Sequence, residues 1–344
     1  MTARAVYDGA MYSEEDLASA VKAGVLSEDT ADAFRRHVAQ ISRSPVADEE
    51  RFRLVTGFND IFVVIACVLL LLSLAWIGSS LAPPAGGTIA AAVAAWGLAE
   101  VFVRRRRMAL PAIVLLLAFV GSVLAASSSI LVSQPVSAGP VVGALAITAA
   151  AAWLHWRRFQ VPITVAAGWA ATLGVAVALV VWAWPDAIRF RAWLAFAAGV
   201  ASFLLAMHWD AADTRRETRK ADIAFWLHLL AAPLLVHSAF SALGVLDGRA
   251  VPGQALAVLA LYVALALVSL AIDRRALMVS ALGYVLYTFS ALLKEQGVVS
   301  LNFAVTALVL GSALLLLSAF WHRSRAFVLG RVGPGLQARL PPTA

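Results

Sequence analysis

The chain has 344 residues, 62% hydrophobic and only 14% charged, with a formal net charge of +7. Soluble domains carry about 25% charged residues, so a large water-soluble core is excluded. Long uncharged runs alternate with short arginine clusters, the pattern of a polytopic α-helical membrane protein. The basic excess sits at the ends of apolar runs, where it sets orientation, so no nucleic-acid partner is expected. The single cysteine, Cys67, lies inside an apolar run and rules out an internal disulfide or a cysteine metal cluster.

The N-terminal stretch MTARAVYDGAMYSEEDL is polar and acidic, unlike a cleaved signal peptide. Ser13 before Glu14, Glu15 and Asp16 reads as a helix N-cap with acids in the first turn. Gly24 can stop that helix in the left-handed conformation. Ser27, with Glu28 and Asp29, starts a second helix whose apolar stripe is Phe34, Val38 and Ile41. Residues 12–42 are therefore expected to form a helical hairpin. It serves either as a small capping element or as a docking module for a protein partner. Two short helices lack the third that completes a DNA-reading helix-turn-helix. Ser44–Pro45 breaks the second helix, and residues 48–55 read as a surface helix with Phe52 and Val55 toward lipid.

About ten spans follow, at residues 59–78, 86–103, 108–126, 139–156, 161–184, 188–208, 223–244, 253–272, 276–293 and 298–321. The expected fold is all-α: a head and juxtamembrane segment (1–57), a transmembrane bundle (58–322) and a cytoplasmic tail (323–344). The division between spans three and four rests on the weakly polar Ser127–Ser129. Alternate sides of this arrangement hold 23 and 4 of the 27 lysines and arginines, which puts both termini in the cytoplasm. Arg104, Arg105, Arg106, Arg107, Arg157, Arg158, Arg274 and Arg275 are read as topology anchors, with anionic lipid headgroups as their natural contacts. Small residues recur every fourth position on several spans: Gly87, Ala91, Ala95 and Ala99; Ala167, Ala171, Gly174 and Ala178; Ala195, Gly199, Ser202 and Ala206. Such faces let helix backbones approach closely in lipid, so a compact bundle is expected.

Chemistry-bearing groups are few. No glycine-rich phosphate loop, HExxH or nucleophile elbow is present, and no catalytic residue, metal or cofactor is expected. His155, His208 and His322 fall at cytoplasmic span ends, where headgroup contact is the plain reading. Glu100 precedes the arginine run and is expected to pair with it, Asp60 suits the N-terminus of the first span, and Lys294 with Glu295 reads as a surface pair. On the ninth span Ser280, Tyr284, Tyr287 and Thr288 share one face, which bonds to a neighbouring helix or lines a cavity; Asn302 has the same two readings.

The seventh span, IAFWLHLLAAPLLVHSAFSALG, is the one with ionisable side chains near its centre. Its 22 residues reach roughly 33 Å. Pro233 frees a backbone carbonyl and bends the helix. His237 and Ser241 follow at four-residue steps, so Pro233, His237 and Ser241 form one polar stripe, expected to face the bundle interior. With Tyr284 and Tyr287 they make the candidate intramembrane polar site. His228 lies nine residues before His237, about 180° around the helix, so the two do not share a ligand. His237 is read either as a neutral histidine bonded to a neighbouring helix or as a proton- or substrate-linked group.

The head, YSEEDLASAVKAGVLSEDTADAFRRHVAQ, followed by DEERFRLVTGFNDIFVVIACVLLLLSLAWIG, resembles predicted bacterial membrane proteins in which a short N-terminal helical domain precedes several spans. FWLHLLAAPLLVH and SALGYVLY look like stretches of proteobacterial membrane proteins of the same kind. The resemblance implies a bacterial inner membrane and supplies no activity. Three functions compete: a membrane scaffold or sensor with a cytoplasmic docking head, a ten-span small-molecule or proton-linked carrier built as inverted repeats, and an intramembrane enzyme. The last is disfavoured by the missing acid–base pair, and the carrier by the lack of a first-half counterpart to the seventh span.

Overall fold

The computed structural model describes residues 14–34, 58–82, 85–133, 136–214, 216, 218–243, 252–295, 308, 311–312, 320–337 and 340–341. The chain divides into two units, Met1–Arg51 and Phe52–Thr343. In the first, α1 (Glu14–Lys22) opens on the acidic triplet, and Gly24 stands at φ 72°, a conformation glycine adopts without a Cβ penalty. Ser27 Oγ accepts from the Thr30 backbone N–H at 3.2 Å, and residues 28–34 are helical. The remainder of the expected hairpin and the segment 48–55 lie outside the described residues.

The second unit is a succession of helices with no strand among the described residues. They are α2 (Phe58–Leu81), α3 (Gly86–Ala99), α4 (Ala109–Leu131), α5 (Ala138–Phe159), α6 (Ile163–Ala183), α7 (Arg191–Ala211), α8 (Arg219–Ala242), α9 (Pro252–Ile272), α10 (Ala276–Glu295) and α11 (Trp321–Leu329). A π-helical turn, Glu100–Arg105, ends α3, and a 3₁₀ turn, Pro185–Phe190, leads into α7. Seven of these segments, those of α2 through α8, are long and apolar enough to cross a membrane. Of the other three expected spans, two correspond to α9 and α10, whose described apolar stretches Leu256–Ile272 and Ala276–Leu286 are shorter. The third, 298–321, falls almost wholly outside the described residues.

Serines do not break the third span where polarity alone would place the break. Helix α4 runs on to Leu131 because Ser127 Oγ lies 2.8 Å from the Val123 carbonyl and Ser129 Oγ 2.9 Å from that of Ala126. Each hydroxyl bonds back to its own helix, so its polar atoms are satisfied within the span. Ser127 also reaches the Ala144 carbonyl of α5 at 3.3 Å.

Consecutive helices pack on one another from α2 to α8, with α8 also against α6 and α10. Small residues set the closest approaches. A Cβ added at Gly87 would stand 2.0 Å from the Ala75 carbonyl oxygen, and one at Gly199 would stand 2.9 Å from the Leu235 backbone nitrogen. The α3 face Gly87, Ala91, Ala95, Ala99 is buried throughout, as are Gly199, Ser202 and Ala206 on α7. Leu329 and Leu340, in the segment read from the sequence as a tail, pack into one apolar cluster with Val236 and Phe240 of α8 and Val285 of α10.

Candidate functional site

Charged side chains gather at one set of helix ends. The loop between α7 and α8 is shaped by its own polar groups: Asp213 Oδ2 accepts from the Thr218 backbone N–H at 2.8 Å and from its hydroxyl at 2.6 Å. Thr218 in turn caps α8, its Oγ1 accepting from Lys220 N–H at 3.2 Å. Arg216 in that loop and Asp273 at the end of α9 both take left-handed backbone, at φ 54° and 60°. For aspartate this conformation is tolerated because its short side chain bonds locally.

The first centre is Asp210, in the last turn of α7. Its Oδ1 accepts from Arg274 Nη2 at 2.7 Å, and its Oδ2 stands 2.9 Å from His228 Nε2 of α8. A carboxylate only accepts, so His228 Nε2 carries the proton. Arg274 Nη2 also donates to the Ala221 carbonyl at 3.1 Å. Asp210, His228 and Arg274 are all buried, and Phe203 meets the imidazole edge-on at 5.4 Å. Among the described residues His228 Nδ1 has no partner.

The second centre is Asp273. Its Oδ2 accepts from Arg216 Nη1 at 3.1 Å and its Oδ1 from Trp321 Nε1 at 2.8 Å, with Arg325 Nε at 3.5 Å. Arg216 Nη2 donates to the carbonyls of Ile272 and Asp273. Burial, and then the nearby Arg274, push the Arg216 guanidinium below its ordinary value, with Asp273 and Asp210 pulling it back up. Arg275 lies 4.7 Å over the Trp321 ring, and Arg325 reaches the Pro341 carbonyl at 2.5 Å. The two centres together tie the ends of α7 through α11. Removing one partner of such a buried pair leaves an uncompensated charge and costs about 3–5 kcal/mol.

The site read from the sequence is placed differently. Pro233 and His237 are on the exposed side of α8 rather than the bundle interior, and Ser241 is half-buried. His237 Nδ1 lies 2.5 Å from the Tyr284 hydroxyl, and Tyr284 stacks on Phe240 at 4.9 Å. The side chains of Tyr287 and Thr288 lie outside the described residues, as do those of Lys294, Glu295, Asn302 and His322. The buried histidine of this helix is His228, on the opposite face. Its partner Asp210 escaped sequence reasoning, yet a signal was there: Asp210 continues the Ser202–Ala206 stripe one turn further along α7.

His155 is fully buried rather than at a headgroup. Phe159, Phe119 and Trp96 surround it at ring distances of 4.6, 5.6 and 5.9 Å, and Thr164 Oγ1 lies 3.3 Å from its Nδ1. His208 is exposed, and Asp60 is buried in the first turn of α2. Among the arginines, Arg104, Arg105, Arg106 and Arg107 are exposed, Arg157 lies over Trp153, and Arg158 forks Glu100 through Nε at 2.6 Å and Nη2 at 3.0 Å. Arg104 reaches the same carboxylate at 3.4 Å. Among the described residues no group of three or more His, Cys, Asp or Glu is placed to hold a metal.

The apolar helices and the buried charges at their ends define a helical membrane-embedded protein. No protein-family model, curated protein or solved structure matches the chain.

Proposed function

We propose that this chain is a multi-pass protein of the bacterial cytoplasmic membrane, crossing it about ten times with both termini inside. In this reading it is a membrane scaffold or sensor whose N-terminal head recruits a protein partner. The skew of lysine and arginine supports the orientation. One observation carries the preference for a scaffold over a carrier: the buried Asp210 and Asp273 pairs fasten the ends of α7, α8, α9, α10 and α11 to one another. A carrier alternating its access must part its helix ends in each cycle, and parting these would strand charges in a low-dielectric interior.

Spin labels at Ala212→Cys and Val279→Cys, in a Cys67→Ala background, report the separation of the α7 and α10 ends. Both chosen positions are exposed. A scaffold gives one narrow distance distribution in detergent and in lipid bilayers. Two populated distances that exchange weight with a pH or ion gradient would overturn this reading in favour of a carrier. Deleting residues 1–43 should leave an inserted, folded bundle that has lost its partner.

A further inference from the structure

We infer that a cavity at the arginine-rich helix ends is a binding site for a phosphate group carried by an anionic ligand. The cavity has a volume of about 510 Å³ and sits where the end of α3, the turn into α4, the α5–α6 turn and the start of α8 meet. That volume is in the range of small-ligand sites, roughly 300–1,000 Å³. Arg104, Arg107, Arg158 and Arg219 line it, with Asp222 the one carboxylate in the lining. Three segments far apart in sequence, the 104–107 run, the end of α5 and the start of α8, thus deliver four guanidinia to one concave volume, where arginines serving only as topology anchors would need no convergence.

The lining divides into two halves of different chemistry. Arg104 and Arg158 are already engaged by Glu100, which holds their forks in place. Among the described residues neither Arg107 nor Arg219 forms an ion pair at contact distance, and Arg219 acts on the Asp222 carboxylate only at longer range. A guanidinium fork matches phosphate oxygens two at a time, in the manner of the Arg158–Glu100 pair. The helices α4 and α6 begin at the cavity with no side-chain cap at their N-termini, so their first-turn amides add to the positive field. Much of the rest of the lining is apolar, with Ile113 and Trp226 among its residues. Arg107 and Gln160, both lining the cavity, take left-handed backbone at φ 53° and 55°. A phosphate with a hydrocarbon neighbour is the ligand that uses both halves. A phospholipid headgroup supplies that chemistry, and so does a free phosphate-bearing solute.

The test uses the full-length protein purified in neutral detergent, with melting followed by tryptophan fluorescence. It is titrated separately with phosphatidylglycerol and with inorganic phosphate. The wild-type protein should be stabilised, and the Arg107→Gln/Arg219→Gln variant should need about tenfold more ligand for the same shift. Arg105→Gln/Arg106→Gln removes two charges from the same run outside the cavity and should respond as wild type. Stabilisation by phosphatidylglycerol alone assigns the phosphate to a lipid, and stabilisation by inorganic phosphate as well assigns it to a solute. Because Arg107 and Arg219 are exposed, the variant should melt as wild type without ligand; if it melts lower, the two single variants carry the same comparison. Equal responses in the two double variants, or no response to either probe, would overturn the proposal.

Discussion

His228 Nε2 stands 2.9 Å from Asp210 Oδ2, and both side chains are only 2% exposed. This pair, with Arg274 closing the other side of the carboxylate at 2.7 Å, joins three segments separated by as many as 64 residues. A buried carboxylate flanked by an arginine and a histidine is satisfied only while α7, α8 and the α9–α10 turn hold their places. The contact is therefore a reporter on how firmly those helix ends are assembled.

Breaking the pair from one side should be worse than removing it whole. Asp210→Asn or Arg274→Gln is expected to lower stability by about 3–5 kcal/mol, since each strands the other's charge. Asp210→Leu with Arg274→Met should cost clearly less than the sum of the single changes. Reversible unfolding in mixed micelles measures all three. Additive losses would mean the two groups do not feel each other.

The two histidines of α8 should behave unequally. His228→Leu deletes a hydrogen bond to a buried carboxylate, a loss of about 1.5–3 kcal/mol. His237→Leu deletes one bond to the Tyr284 hydroxyl on the exposed side and is expected to cost under about 1 kcal/mol. A larger loss from His237→Leu than from His228→Leu, in the same melting assay, would contradict this geometry.

Glycines that look alike in the sequence should respond oppositely to alanine. Gly87→Ala places a methyl 2.0 Å from a backbone oxygen of α2 and should cost about 1–3 kcal/mol, because backbone cannot yield as a side chain does. Gly97, ten residues along the same helix, has nothing within 4 Å of an added Cβ. There alanine should be neutral or stabilising by about 0.5–1 kcal/mol. Equal effects at the two sites would refute the close α2–α3 approach.

Reporter fusions after residues 58, 107, 158, 215, 274 and 325 should all read cytoplasm. Two or more reading the periplasm would reject the ten-span topology. Cys67, buried in α2, should resist a membrane-impermeant thiol reagent in intact cells.

The membrane class and the approximate positions of the helices α2 through α8 were legible in the chain alone. Hydropathy over some 20 contiguous residues is a local property, and a helix is the backbone form that satisfies its own hydrogen bonds in lipid. A helix start and a helix stop were legible for the same reason, as Ser27 and Gly24 show. The small-residue faces of α3 and α7 were legible too, because only small side chains permit close backbone contact.

What only the tertiary structure decided is which side turns inward on helices without such a face, α2 and α8 above all. In water, an apolar stripe marks the buried face; in a bilayer both lipid and core accept apolar groups, so Leu69, Leu72 and Trp76 on α2 are exposed while Cys67 and Leu71 beside them are buried. Nothing in the order of residues in α8 ranks His228 above His237, since each sits among leucines and alanines. The choice was made by Asp210 and Arg274, brought from 18 residues upstream and 46 downstream of His228 by the packing of three other helices. Pairing over such distances follows from the rotation of whole helices about their axes, which a local pattern of hydropathy does not encode.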